Sequence, residues 1–375
     1  MRKILLTFVC LFAVIPSLVS AHQVLPAIIT IDVQEDGAFS LEARVNLEAL
    51  VAQVDPNDQD TDDSENSAEY DRLRATEPAG LITAFDGFRE RWLAGVLLQA
   101  DNQPLQLDYA GAEVPDVGDV ARQRISTVRL QGQLPRDTQW LIWRYDEFFG
   151  ESAVRVSVAG LEGVQSQFLK AGEVSRPLLI TKADGEPLQS TWDVAIQYTE
   201  LGFTHILPKG LDHILFVLGI FFLSMRLKPL LYQVTAFTVA HSITLALSLY
   251  GVVSLPASVV EPLIALSIVY VAVENIVTPE LKPWRVWVVF AFGLLHGLGF
   301  AGVLTELGLP ESEFVTALIA FNVGVEFGQL AVILIAFLVV GMFRNKPWYR
   351  SRIVIPASLA IAATGLYWTV ERVFF

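Results

Sequence analysis

KGLDHILFVLGIFF, residues 209–222, begins with loop-forming residues and continues as an apolar run. An acid and an imidazole, Asp212 and His213, stand side by side where the two meet. Pro208 and Gly210 oppose a helix before the run, so Asp212 and His213 are expected in the first turn of a membrane helix. An ionisable pair is costly there and normally faces a cavity, a protein interior or a partner.

From this stretch onward the chain holds six apolar segments, at about 210–225, 230–250, 259–277, 286–305, 314–342 and 353–372. Each is long enough, or nearly so, to cross about 30 Å of hydrocarbon as a helix. Arg226 and Lys228, then Lys282 and Arg285, then Arg344, Lys346, Arg350 and Arg352 occupy alternate loops, and the loops 251–258 and 306–313 hold no Lys or Arg. Basic residues collect on the cytoplasmic side, which places the residues before the first span outside.

Upstream the character changes. Residues 22–200 contain 31 Asp plus Glu against 14 Lys plus Arg, a balance of −17, whereas residues 201–375 contain 9 against 10. The expectation is an acidic, β-rich domain over 22–200, all-β or α+β, followed by a six-helix transmembrane bundle over 201–375. Residues 1–21, with a basic start, an apolar middle and a small-residue end, read as a signal peptide, so the acidic domain is expected on the outer, periplasmic-type side of the membrane that the bundle crosses. Cys10, the single cysteine, leaves with that segment, which excludes disulfides and thiolate metal sites from the mature chain.

Within the acidic part, ITIDVQ and FSLEARVNL alternate around an Asp-Gly turn, as a β-hairpin does. Strands are expected again at TVRLQGQL, QWLIWRYDEF, AVRVSVAGL and across PLLITKADGEPLQSTWDVAIQY, in a small antiparallel sandwich, with one or two helices between residues 68 and 98. The acidic run 55–66 offers Asp58, Asp60, Asp62 and Glu65 but lacks the glycine of an EF-hand loop, so it reads as a solvated loop. His22, as a new N-terminus, would pair an α-amine with an imidazole and is a possible ligand.

The other four histidines, His205, His213, His241 and His296, all fall in or beside the apolar half. Together with Asp212, Glu261, Glu274 and Glu326 they form a short set of intramembrane ionisable groups. Counted from the expected helix ends, Asp212 and His213 lie near the outer surface, His241 about 14 Å below it, His296 about 15 Å and Glu326 about 18 Å. His241, His296 and Glu326 are thus expected to meet near the midplane. Asn322, Glu326 and Gln329 share one helical face. Gly293 with Gly297, and Gly324 with Gly328, allow close helix approach. Glu261 is expected at the outer interface, and Glu274, in line with Ser267 and Tyr270, near the cytoplasmic end. Histidine and carboxylate without cysteine, and with only three methionines, suit divalent nickel, cobalt or zinc.

The stretches GFTHILPKGLDHILFVLG, AFTVAHSITLALS, VEPLIALSIVYVAVENI, FGLLHGLGFAGVL and FNVGVEFGQLAVI resemble the HupE/UreJ family of bacterial membrane proteins, and the start AHQVLPA resembles its long-form members with an external domain. The resemblance implies a membrane permease associated with nickel supply to hydrogenase or urease. Its signature of His followed by Gly-x-Asp-His matches His205, Gly210, Asp212 and His213, and its later His-Gly element matches His296 and Gly297. The gap from His205 to Asp212 is one residue longer than in short members, and Gly299, Phe300 and Ala301 stand where a second His and a Glu follow the His-Gly element there.

The leading functional expectation is a divalent-metal permease, with nickel or cobalt as cargo and His205, Asp212, His213, His241, His296 and Glu326 as ligands. Glu261, Glu274, Asn322 and Gln329 would line its path. The alternatives are an intramembrane zinc hydrolase and a non-transporting metal-binding assembly partner whose acidic domain docks a periplasmic protein. Ser242 lacks a nucleophile-elbow context, no nucleotide-binding motif occurs, and nucleic acid is not an expected partner of an acidic membrane protein.

Overall fold

The computed structural model describes residues 24–374 except 57, 59–60, 62–63, 119, 121–122, 162, 182–190, 279 and 308–312, with the backbone alone over 301–307. The expected signal peptide, His22, Asp60 and Asp62 lie outside the described residues. The chain divides into two compact units, one of sheets and one of helices beginning at Thr191.

In the first unit, β1 (Ala27–Val33) and β2 (Ala38–Val45) form the hairpin expected from their alternation, pairing Val33 with Phe39. Its turn is fastened by Asp36, whose Oδ1 accepts from the Ala38 N–H at 3.0 Å. Three helices follow: α1 (Leu47–Ala52), α2 (Ser67–Arg74) and α3 (Pro78–Ala94). Asn46 caps α1 through the Ala49 N–H at 3.0 Å, and α3 opens on proline, whose missing N–H costs nothing there. The remaining strands are β3 (Val96–Ala100), β4 (Gln103–Pro104), β5 (Asp108–Glu113), β6 (Ser126–Gln133), β7 (Trp140–Tyr145), β8 (Ser152–Val158), β9 (Gln165–Leu169) and β10 (Leu178–Leu179).

They form a six-stranded sheet, β5-β6-β2-β1-β8-β9, and a four-stranded one, β10-β7-β3-β4. The larger sheet is mixed rather than purely antiparallel, because β8 runs parallel to β1 along its whole length. That pairing places apolar β1 centrally, where both edges of its backbone find partners. Ile29, Ile31 and Leu41 from one sheet, Leu98 and Trp143 from the other, and Phe85 and Trp92 from α3 share one core. The class is therefore α+β. Trp143 Nε1 donates to Ser152 Oγ at 3.3 Å across the sheets, and Trp92 Nε1 donates to Tyr145 Oη at 2.9 Å. An ion pair is buried in this unit: Arg124 Nε donates to Glu48 at 2.6 Å while its Nη2 donates to the carbonyls of Leu73 and Thr76. Burial pushes the Glu48 carboxyl above its ordinary value, opposed by the Arg124 hydrogen bond.

The second unit is helical: α4 (Thr191–Ile206), α5 (Leu211–Leu223), α6 (Leu227–Leu249), α7 (Ala257–Val277), α8 (Arg285–Leu307), α9 (Phe314–Val340) and α10 (Ile355–Phe374), the last preceded by a π turn over Arg350–Val354. Four helical stretches are long and apolar enough to cross a membrane: α6, α7, α9 with its continuation to Phe343, and Arg350–Phe374. A bent pair, α4 and α5 at 71°, makes a fifth if taken as one broken span, and α8 contributes a shorter apolar stretch, Arg285–Phe300. Among the described residues this gives four to five spans where six are expected: the 13 residues of α5 reach only about 20 Å, too short to cross alone, and α8 offers only a shorter apolar stretch. Residues 191–198, expected as strand, are helical in α4, whose buried Val194, Tyr198, Gly202 and Ile206 recur every four residues along one face.

That face packs on α9. A methyl group added to Gly202 would overlap the Phe321 carbonyl oxygen, and one added to Gly324 would overlap the Thr199 carbonyl oxygen. The reciprocal glycines let the two backbones touch, as the small-residue spacing on α9 anticipates. On α8, Gly293 and Gly297 lie in the same way against α6, next to Phe237 and His241.

Candidate metal centre

Four elements each deliver one imidazole to a common place. His205 ends α4, His213 lies in the first turn of α5, His241 sits beyond the middle of α6, and His296 stands at the midpoint of α8. The His213 ring centre is 4.7 Å from that of His205, 5.0 Å from His296 and 6.1 Å from His241. One ring nitrogen each from His205, His213 and His241 lies within 4.8 Å of the others. His241, His296 and His213 are buried, at 0 %, 1 % and 7 % exposure.

The break between α4 and α5 makes this possible. It turns the chain through 71°, so His205 and His213, eight residues apart in sequence, face each other. Phe216, Phe237, Phe300 and Phe321 pack on the imidazoles, with the Phe300 ring 3.9 Å from His205 and the Phe237 ring 4.9 Å from His296. The site is therefore apolar around its ligand atoms.

Hydrogen bonding selects the tautomers. His296 Nδ1–H donates to the Phe292 carbonyl at 2.8 Å, and His241 Nδ1 lies 3.1 Å from Asn322 Oδ1. Asn322 is oriented in turn by its Nδ2–H donating to the Leu318 carbonyl at 2.8 Å, which leaves its oxygen facing His241. Both rings therefore carry the proton on Nδ1 and the lone pair on Nε2. The Nε2 atoms of all four histidines are buried without a hydrogen-bond partner. Buried polar atoms are normally satisfied, and four unpartnered ring nitrogens in one cluster, with the lone pair fixed on Nε2 in His241 and His296, suit a borderline cation.

The other sequence candidates have separate partners. Asp212 is held by Arg372 of α10, whose Nη1 and Nη2 each donate to Oδ2 at 3.0 Å. Glu326, expected to meet His241 and His296 directly, lies one turn along α9 from Asn322. There it accepts from Thr235 Oγ1 at 2.7 Å and from Thr238 Oγ1, which also contacts Gln329 Oε1 at 3.0 Å. Glu261 is exposed, and its backbone carbonyl accepts from Arg372 at 3.2 Å. Glu274 is buried 3.2 Å from Arg285 Nε, and Arg285 is itself fully buried. Arg285 is thus not a surface loop charge as expected; it sits at the start of α8 against a carboxylate that α7 supplies.

Sequence reasoning found all four imidazoles but placed His213 apart from the midplane pair. Depths counted from the expected helix ends put the start of the first span at residue 210, whereas α4 precedes it. The four-residue recurrence of Val194, Tyr198, Gly202 and Ile206 is the signal that identifies α4. The Arg372 contact had no local signal, since its partner lies 160 residues away.

A profile described as HupE / UreJ protein matches residues 181–372, just over half of the chain and all four histidines. No curated protein and no solved structure matches the chain.

Proposed function

The chain belongs to the HupE/UreJ family, and from that premise we propose that it carries a divalent transition metal, nickel or cobalt, across a bacterial inner membrane through the cluster of His205, His213, His241 and His296. The observation that carries this reading is the set of four buried Nε2 atoms without partners. Neutral imidazoles bind nickel, cobalt and zinc well and hard cations poorly. One ring nitrogen each from His205, His213 and His241 lies within 4.8 Å of the others, near enough for the three to share one ion.

In this reading α4 and α5 act as one broken span, a form that transport proteins use to bring half-helix ends to an ion. With α6 to α10 they make six membrane segments, the basic loops are cytoplasmic and the acidic first unit is periplasmic. Its surplus of carboxylates favours cations near the membrane, and the same surface could receive a periplasmic protein. The ion would pass Glu261, Asp212 and His213, reach the cluster, and continue along the α6–α9 seam past Asn322, Thr238, Glu326 and Gln329. Glu274, paired with Arg285, is an exit group only if that pair opens.

The test is uptake of nickel or cobalt by proteoliposomes containing the full-length protein or its His213→Ala and His241→Ala variants. Uptake by the wild type and its loss in both variants is the expected result. The three-histidine subset also suits a fixed zinc-bound water, and a protein that retains stoichiometric metal against chelator while moving none would replace the carrier reading by the enzyme reading.

A further inference from the structure

The contact between Arg372 and Asp212 is not accounted for by packing alone. Arg372 uses both terminal nitrogens on one carboxylate: Nη1 and Nη2 donate to Oδ2 at 3.0 Å and Nη2 also reaches Oδ1 at 3.3 Å. The same guanidinium donates to the Glu261 carbonyl and lies over the Trp368 ring, 5.5 Å from its centre. It is therefore held from α5, α7 and α10 together. Its side chain is 14 % exposed and that of Asp212 23 %, so the pair is accessible from outside the bundle while touching its interior.

The pair adjoins the metal centre. Asp212 immediately precedes His213, one of the four clustered imidazoles, in the first turn of α5. The four imidazoles are neutral when they bind metal, so a divalent ion among them brings two uncompensated charges into apolar surroundings. Glu326, on α9, is already held by two threonine hydroxyls. Asp212 is the carboxylate that adjoins His213, and it is engaged by an internal cation.

We propose that Arg372 is the resident cation of Asp212: it occupies the carboxylate while the site is empty and competes with the arriving divalent ion for it. The inference rests on the metal-centre reading above. Bidentate guanidinium pairing keeps Asp212 oriented and neutralised in the absence of cargo. When the ion binds, Asp212 shifts its charge toward it and Arg372 is left with the Glu261 carbonyl and the Trp368 ring. Occupancy of Asp212 by one cation or the other sets the affinity of the outer end of the path.

The experiment is isothermal titration of detergent-purified full-length protein with nickel chloride, together with melting of the metal-free and nickel-saturated forms. Competition predicts that Arg372→Gln binds nickel about five- to tenfold more tightly than wild type and that Asp212→Asn binds it at least tenfold more weakly. It predicts that Arg372→Gln brings no gain in an Asp212→Asn background, and that Arg372→Lys, which keeps the charge without the fork, falls between wild type and Arg372→Gln. Metal-free Arg372→Gln should melt below wild type, and saturating nickel should close the gap. Arg372→Gln binding as weakly as Asp212→Asn would mean that Arg372 only positions the carboxylate. Unchanged affinity with a lower melting point would mean that it only staples α10 to α5; either result overturns the proposal. In both cases nickel binding by wild type and its loss in His241→Ala leave the metal centre intact, whereas absence of binding by wild type overturns the two readings together.

Discussion

Replacing Asn322 by leucine tests whether the proposed metal centre is organised by its tautomers. Asn322 is 6 % exposed and His241 fully buried, and the 3.1 Å contact from His241 Nδ1 to Asn322 Oδ1 is what keeps the lone pair on Nε2. Leucine fills similar space but accepts no hydrogen bond. The Nδ1–H then either stays buried and unpaired, at about 1–3 kcal/mol, or the proton moves to Nε2 and removes a donor from the cluster. Either outcome weakens metal binding by about 10–100-fold, or roughly 1.4–2.8 kcal/mol. Asn322→Asp keeps an acceptor toward His241 and adds negative charge near the cation, so it should lose less than Asn322→Leu. Titration calorimetry with nickel and cobalt measures the affinities, and ¹⁵N shifts of the histidine rings report the tautomer. Binding by Asn322→Leu within twofold of wild type, in a protein whose His241→Ala variant binds nothing, would refute the argument.

Gly202→Leu should push α4 off α9, because its side chain meets the Phe321 carbonyl; a fall in melting temperature and at least tenfold weaker nickel binding are expected, with Gly202→Ala a milder form costing about 1–3 kcal/mol. Arg285→Met strands Glu274 in the interior and should destabilise by about 3–5 kcal/mol, whereas adding Glu274→Leu should recover much of the loss, as thermal melting of both variants will show. In the first unit, burial holds Glu48 protonated to higher pH in the folded than in the unfolded chain. Its contribution to stability is thus greatest below 4.5 and declines as pH rises from there through its raised value. Glu48→Gln should remove that decline while costing the Arg124 pair, which a series of urea unfolding curves followed by tryptophan fluorescence will reveal.

Much of this architecture is legible in the linear pattern. Alternation locates β1 and β2 because a half-buried strand repeats every two residues, and sustained apolarity locates α6, α7 and α9 because lipid admits little else. The gathering of His205, His213, His241 and His296 downstream of residue 200 marks them as candidates for one shared site, because imidazole is costly to place in such surroundings. The β1–β8 pairing and the Arg372 contact lie beyond any local pattern, since strand order and ion pairing depend on which distant segments meet.

The opening stretch shows the division most clearly. Its sequence by itself determined that a helix starts near Leu211 with Asp212 and His213 in the first turn, because Pro208 and Gly210 oppose helix and the following residues favour it. Only the tertiary structure decided what those two side chains do. The 71° break folds α4 back so that His205 meets His213, and the packing of α10 brings Arg372 to Asp212. Adjacent residues on a helix point about 100° apart, so their different fates follow from which neighbour each direction faces, and that is set by the bundle.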